Sequence, residues 1–347
     1  MMREPFFSVI MPAYNAQNTI IHAVDSLETQ SFRDFEIIIV DDGSKDQTPL
    51  VVEQLKKKYA NILSVRIKNG GPANARNAGL GLVGGRYVLF LDSDDAYLPG
   101  SLQTIHAALI ADDPDILIYG FRIYNRDTDT YFHEYHPTEH WCRPLAEIDF
   151  SALYTNNLLN QIWNKAYRSD FLRRIGVTFP DHRYGEDRLF VIASCRKADR
   201  IAVCPEELYD YVLGNEDSLV HSYHADKFQV CCQIHERIQL LVQQGTGGNP
   251  EALNYMFIKS VFSCMTDLCG KKTPLSSREK RAQIRSMICQ EMVITAAANC
   301  RCPNAAVRVI CMVMRSRSGW LNYLLVKMAA LAMRLLPNRT ISLKHQH

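Results

Sequence analysis

Apart from Glu36, two short segments, residues 36–40 (EIIIV) and 87–91 (YVLFL), are apolar at consecutive instead of alternate positions. A strand with one face in water alternates, so a continuous apolar run marks a strand covered on both faces, as in a parallel sheet sandwiched by helices. Residues 6–11 form a similar run closed by Pro12, after which Ile20, Val24 and Leu27 recur at helical spacing. Residues 64–68 read as a third strand, and residues 48–59, 74–83 and 101–109 as helices. Strand alternating with helix at this interval predicts an α/β fold, a Rossmann-like and mostly parallel sheet flanked by helices.

Ligands of such sheets bind beyond the carboxyl ends of the strands, where connecting loops converge without burying unpaired backbone. Here those positions hold Pro12-Ala13-Tyr14-Asn15, Asp41-Asp42-Gly43-Ser44 and Asp92-Ser93-Asp94-Asp95. Asp92, Asp94 and Asp95 would repel one another unless a hard divalent cation, Mg2+ or Mn2+, offset their charge. The competing reading is structural: acidic turns that cap the following helices, with Ser44 or Asp46 as the cap of one. In the stretch from Gly70 to Gly79, glycines permit close backbone approach, and Arg76 would counter a phosphate or hold a loop carboxylate. Neither the P-loop pattern nor the Gly-x-Gly-x-x-Gly fingerprint occurs, which removes the usual support for an NTPase or a dinucleotide-dependent dehydrogenase.

The ordered set Ser8-Val9-Ile10-Met11-Pro12-Ala13-Tyr14-Asn15, Val40-Asp41-Asp42-Gly43-Ser44, Ala75-Arg76-Asn77-Ala78-Gly79 and Asp92-Ser93-Asp94-Asp95 resembles glycosyltransferase family 2. With Trp163-Asn164-Lys165 and Gly185-Glu186-Asp187 the resemblance extends over roughly residues 5–220. It implies a GT-A fold, a nucleotide-sugar donor with UDP as the default nucleotide, a divalent metal, and inversion at the anomeric carbon. Position by position it implies that Pro12, Tyr14 and Asp42 hold the nucleoside, with Arg76 nearby, and that Asp94 and Asp95, with Asp92, make the ribose and metal contacts. Inverting transfer needs a base opposite the leaving diphosphate. By resemblance that base is Asp187, with Glu186 as its substitute, although two carboxylates after Gly185 also suit a helix N-terminus. Trp163 and Asn164 read equally as the acceptor side of the site and as core. Asp217, Ser218 and His221 would lie in a polar loop over the diphosphate or in a solvated one.

The 347 residues, 47% apolar and 22% charged, suffice for a large domain with an appendage. The expected division is a catalytic domain over residues 1–224, with its donor half at about 1–120 and its acceptor half at about 121–224, and a helical region over 225–347. Residues 243–250 read as a linker. Charge divides the chain as well, because residues 1–270 carry 25 Lys and Arg against 35 Asp and Glu, and residues 271–347 carry 14 against 2. In the basic tail, residues 305–314 and 321–336 are apolar and interrupted by Arg308, Lys327 and Arg334. Such segments lie on an anionic membrane surface more readily than they cross it, and packing on the protein is the alternative. Scattered cysteines without a CxxC pair, and an N-terminus without a signal-peptide pattern, point to reduced thiols in a cytoplasmic protein peripheral to the cell membrane. The expected partners are a nucleotide-sugar donor and a glycan or lipid-linked acceptor in cell-surface polysaccharide synthesis, and no nucleic acid. A sugar-phosphate nucleotidylyltransferase and a catalytically silent nucleotide-sugar binding module are the competing functions. The first lacks its glycine-rich N-terminal loop, and the complete carboxylate set speaks against the second.

Overall fold

A computed structural model describes residues 4–126, 128–213, 224–270, 273–301 and 304–335. The chain divides into two compact units, the first drawn from Met1–Ile148, Leu158–Gly214 and Gln244–Thr246, the second from Asp149–Asn157, Asn215–Gln243 and Gly247–His347.

The first unit is the α/β part. Its parallel half is built from β1 (Phe7–Ala13), β2 (Phe35–Asp41), β3 (Ile62–Arg66) and β4 (Tyr87–Phe90) in the order β3-β2-β1-β4. Ile37, Ile38, Ile39 and Val40 have no exposed surface, as the unbroken apolar run requires. Each such side chain contributes roughly 1.5–3 kcal/mol relative to leaving it in water. The connecting helices α1 (Ile20–Glu28), α2 (Thr48–Lys58), α3 (Pro72–Leu80) and α4 (Ser101–Asp112) start where the sequence periodicity changes. On α1, Ile20, Ala23, Val24 and Leu27 are buried, the i, i+3, i+4, i+7 set of a single helical face. The third strand lies two residues before its predicted position: β3 is an edge strand pairing with β2 from Ile62, and its exposed Leu63 blurs the apolar pattern.

Beyond β4 the sheet becomes mixed. β5 (Ala96–Tyr97), β6 (Ile116–Asn125), β7 (Thr130–Tyr135), β8 (Trp141–Pro144), β9 (Lys165–Arg168) and β10 (Arg200–Leu213) complete a ten-stranded sheet among the described residues. β9 runs antiparallel to both β4 and β6, and β10 runs parallel to β6. Local patterning concealed these strands. β7 has no buried residue, and β10 is broken by a register shift between Cys204 and Glu207, around Pro205, which cannot donate to the ladder. Short helices α5 (Phe150–Thr155), α6 (Ser169–Ile175) and α7 (Glu186–Cys195) are interspersed.

The second unit is helical, comprising α5 with α8 (Lys227–Gln244), α9 (Pro250–Leu268), α10 (Ser277–Ile288), α11 (Glu291–Asn299), α12 (Ala305–Arg315) and α13 (Gly319–Leu335). Phe257, Val261, Met265, Ile284, Val293, Met314 and Val326 form its core. The glycine-rich stretch read as a linker ends at Asn249, whose side chain caps α9 by accepting from the amides of Glu251 and Ala252. α10 opens with a capping box between Ser276 and Glu279. The stretch with Asp217, Ser218 and His221 lies outside the described residues.

Gly79 sets how closely α3 lies on β1, since a Cβ there would stand 2.6 Å from Ile10 Cγ2 and 3.4 Å from Val40 Cγ2. Gly79→Val should therefore destabilise the protein by about 1–3 kcal/mol, read as a lower urea midpoint. An unchanged midpoint would contradict this close packing.

Candidate active site

The loops after β1 and β2 are bound to each other before any ligand is considered. The Asn15 amide donates to Ser44 Oγ (3.0 Å), the Lys45 amide to Asn15 Oδ1 (2.9 Å) and the Ala16 amide to Thr48 Oγ1 (2.7 Å). Asn15 has φ 51, a left-handed conformation that asparagine tolerates better than most residues. This lattice presents Tyr14, 45% exposed, beside the half-buried Pro12. Of the two capping candidates, Asp46 accepts from Thr48 N (3.0 Å) at the start of α2, whereas Ser44 serves the β1 loop.

Asp42 is buried, and each of its oxygens accepts a backbone amide, Gly70 N on Oδ1 and Gly71 N on Oδ2, both at 2.8 Å. Asn69 Nδ2 donates to its carbonyl (2.9 Å). Asp42 thus fixes the loop that opens α3. Gly71, with φ 90, takes the N-cap position of that helix in a conformation few other residues reach.

About one and a half turns into α3, Arg76 points into the α/β unit. Its side chain is 5% exposed. Nη2 donates to Asp92 Oδ1 (2.9 Å), and Nη1 donates to Asp187 Oδ1 (2.7 Å) and Glu186 Oε1 (3.3 Å). Arg76 therefore joins three elements: α3, the end of β4 and the first turn of α7, where Gly185 (φ 73) is the N-cap. Glu186 and Asp187 also occupy the position that complements the helix dipole, so both sequence readings of the pair describe the same residues.

The carboxylates of the β4 loop differ in their surroundings. Asp92 meets Arg76 and remains 25% exposed. Asp94 is half-buried. Asp95 is turned inward: it is 1% exposed, with Tyr209 Oη donating to Oδ2 and Val212 N to Oδ1, both at 2.8 Å. Tyr209 in turn accepts from the Asp92 amide (3.2 Å) and stacks on Trp163 at 4.3 Å. Both oxygens of Asp95 are committed to β10, so this carboxylate anchors the loop. Burial, then the charges of Asp94 and Asp92, push its pKa well above the usual carboxylate value.

Trp163 and Asn164 belong to the core. Trp163 is 4% exposed, and Asn164 is fully buried and donates to the carbonyls of Tyr119 and Leu158. Two contributors were not assigned a role from sequence, Tyr209 and Lys165. Lys165 is fully buried, its ammonium donating to Gln161 O and Asn164 Oδ1, both at 2.6 Å. Burial lowers its pKa to about 7, against the opposing pull of Cys195 and Asp187. Their signals were present as Tyr209-Asp210-Tyr211 and Trp163-Asn164-Lys165, but without the strands that carry them neither could be placed.

Among the described residues no group of three or more His, Cys, Asp or Glu side chains is arranged to hold a metal ion. The charge balance nevertheless suits a dication. Asp92, Glu186 and Asp187 share one guanidinium, and Asp94 adds a further carboxylate beside Asp92. Mg2+ and Mn2+ commonly take one or two carboxylates and complete their shells with substrate phosphate and water. Asp92 and Asp94 keep surface open to such an ion, whereas Asp95 is 1% exposed with both oxygens bonded to β10.

Residues 8–176 match the family described as Glycosyl transferase family 2. This segment of the chain is a glycosyltransferase family 2 domain. It is 27% identical over 300 residues to the uncharacterized glycosyltransferase EpsJ of Bacillus subtilis, covering 83% of this chain and 85% of that protein. It is 31% identical over 220 residues to the poly(ribitol-phosphate) beta-N-acetylglucosaminyltransferase TarS of Staphylococcus aureus, covering 60% of this chain and 36% of TarS, so it spans about a third of that relative. The crystal structure of TarS residues 1–349 in complex with UDP-GlcNAc superposes with a TM-score of 0.71 at 22% identity, over 94% of this chain and 92% of that one. The architecture is accordingly the GT-A fold of this family with a helical C-terminal region, as the sequence predicts.

Asp187, which Arg76 holds at 2.7 Å, is also displaced from the usual carboxylate range. Burial raises its pKa to about 8, Glu186 and Asp92 add to the rise, and Arg76 and Lys165 oppose it. A carboxyl whose folded pKa lies above its unfolded value of about 3.9 binds more protons folded than unfolded between the two. Its contribution to stability is present in acid and is lost as pH rises from about 4 to about 8. Asp187→Asn should therefore gain stability relative to the parent chain progressively across that window, measured by urea unfolding at a series of pH values. A difference that stays flat with pH would refute the raised pKa.

Proposed function

We propose that this chain is an inverting glycosyltransferase that moves a sugar from a nucleoside-diphosphate donor, a UDP-sugar by preference, to a hydroxyl of a glycan or lipid-linked acceptor. The observation that carries the reading is the Arg76 hub, which sets Asp187 and Glu186 beside the acidic end of β4. Relatives named as poly(ribitol-phosphate) glycosyltransferases support a role in polysaccharide biosynthesis.

In this mechanism Tyr14 and Pro12 form the nucleoside wall, and Asp42 accepts from the base through lone pairs left beside its two loop amides. Asp94 and Asp92 would hold a divalent cation, Mn2+ or Mg2+, with Asp94 also near the ribose, and the ion would supply Lewis-acid stabilisation of the departing diphosphate. Asp95 keeps the loop in place through Tyr209 and Val212. Asp187 takes the proton from the acceptor hydroxyl as that oxygen attacks the anomeric carbon opposite the leaving group, which inverts the centre. Arg76 holds the Asp187 carboxylate in position. A base with a pKa of about 8 carries its proton at neutral pH, so kcat/KM should rise with pH and level off above about 8.

Asp187→Asn should lower turnover by at least about a hundredfold, in line with the usual contribution of a general base, and abolish the pH rise, while donor binding persists. Parallel loss of donor binding would remove Asp187 from the role of base. Retained turnover in this variant would move the role of base to Glu186.

Thermal shift with UDP, GDP, CDP and dTDP sugars, with and without Mn2+, should give the largest stabilisation for a UDP-sugar with metal. Asp94→Ala should remove the metal-dependent part of that shift. Equal stabilisation by every donor without metal would sink the carboxylate assignment.

A further inference from the structure

α13 is buried on one side. Asn322 and Val326 have no exposed surface, Asn322 Nδ2 donates to the Val313 and Ser318 carbonyls (2.9 and 3.0 Å), and Val326 lies in the helical core. At about 100° per residue, Trp320, Leu324, Met328 and Leu331 fall within an arc of roughly 80° on the opposite side, with Leu321 at its edge. These outward residues are 54%, 41%, 60% and 57% exposed, and Leu321 is 42% exposed. A helix on a soluble surface turns its polar face to water. This one turns an apolar face outward, and its tryptophan is a side chain suited to the boundary between headgroup and hydrocarbon.

Neighbouring helices repeat the pattern. α12 buries Val307, Cys311 and Met314 and leaves Val309 and Met312 47% and 68% exposed beside the exposed Arg308. α10 packs against α13 closely enough that a Cβ on Gly319 would stand 3.1 Å from Arg285 Cβ, and it carries exposed Arg278 and Arg285. Not every basic group is available: Arg315 is spent on the carbonyls of Ala297 and Ala298, and Lys327 donates to Cys269 O (3.4 Å). Scattered exposed apolar residues are ordinary, but a contiguous stripe marks a contact surface. Residues 271–347 hold 14 Lys and Arg against 2 Asp and Glu, so a second copy of this face would bring like charges together, whereas an anionic surface would be attracted. No helix among the described residues is long and apolar enough to cross a membrane.

We propose that the outward face of α13, extended by α12 and the arginines of α10, is a docking surface for an anionic phospholipid membrane. The helices lie along the interface: the apolar stripe enters the region between headgroup and acyl chain, and the arginines meet lipid phosphates. The inference rests on the helical unit alone and stands or falls separately from the transferase reading.

The test is co-sedimentation of the full chain with vesicles of phosphatidylglycerol mixed with phosphatidylcholine, and with vesicles of phosphatidylcholine alone. The mixed vesicles should bind the chain and the neutral ones should not, and binding should weaken as salt rises. A triple variant, Trp320→Ser, Leu324→Gln and Met328→Gln, alters outward-facing residues and should leave the unfolding midpoint and transfer to a water-soluble acceptor unchanged while weakening vesicle binding at least about tenfold. Arg285→Glu with Arg308→Glu should weaken it too. Equal binding to neutral vesicles would overturn the anionic partner. Absence of vesicle binding, with or without a concentration-dependent dimer that the triple variant dissolves, would overturn the membrane assignment.

Discussion

The guanidinium of Arg76 can leave water only with a counter-charge, because a buried charge without a partner costs several kcal/mol, and Asp92, Glu186 and Asp187 supply it. That mutual dependence ties α3, the end of β4 and the start of α7 into one piece. It also explains why the carboxylates can be so dense. One cation serves three anions, and burial together with the charges of Glu186 and Asp92 pushes the pKa of Asp187 up to about 8. A site poised in this way responds to any additional positive charge, whether from a metal or from a substrate's counter-ion.

Much of the parallel half was legible in sequence because its signals are local. The runs at residues 37–40 and 87–91, which lead into Asp41-Asp42 and Asp92, are continuously apolar, since both sheet faces are covered, and helical spacing resumes within a few residues of each. The mixed half was not legible, and its strands fail as local patterns for physical reasons. β9 has four residues, β7 has no buried residue, and β10 carries a bulge at a proline. Such strands are specified by their partners across the sheet, which no short window contains.

The helical region presents the converse case. Its periodicity and basic excess could be read directly, but both a surface-seeking helix and a packed one satisfy them. In the structure α12 and α13 do both: they bury Val307, Cys311, Met314 and Val326 in a common core and leave the opposite faces apolar. Arg315 and Lys327, which a helical projection counts with the basic face, are instead held by backbone carbonyls.

The sequence by itself determined the fold class, the family and the loops that carry the acidic residues, because strand burial, helix periodicity and motif order are properties of neighbouring positions. Only the tertiary structure decided what each carboxylate does. Arg76 meets Asp92 across 16 residues and Asp187 across 111, and Asp95 meets Tyr209 across 114. Those pairings turn Asp95 inward and leave Asp92 partly open, while burial raises the pKa of Asp187 against the pull of Arg76. Electrostatic character depends on distance in space and on the loss of water, and neither is written in the order of residues along the chain.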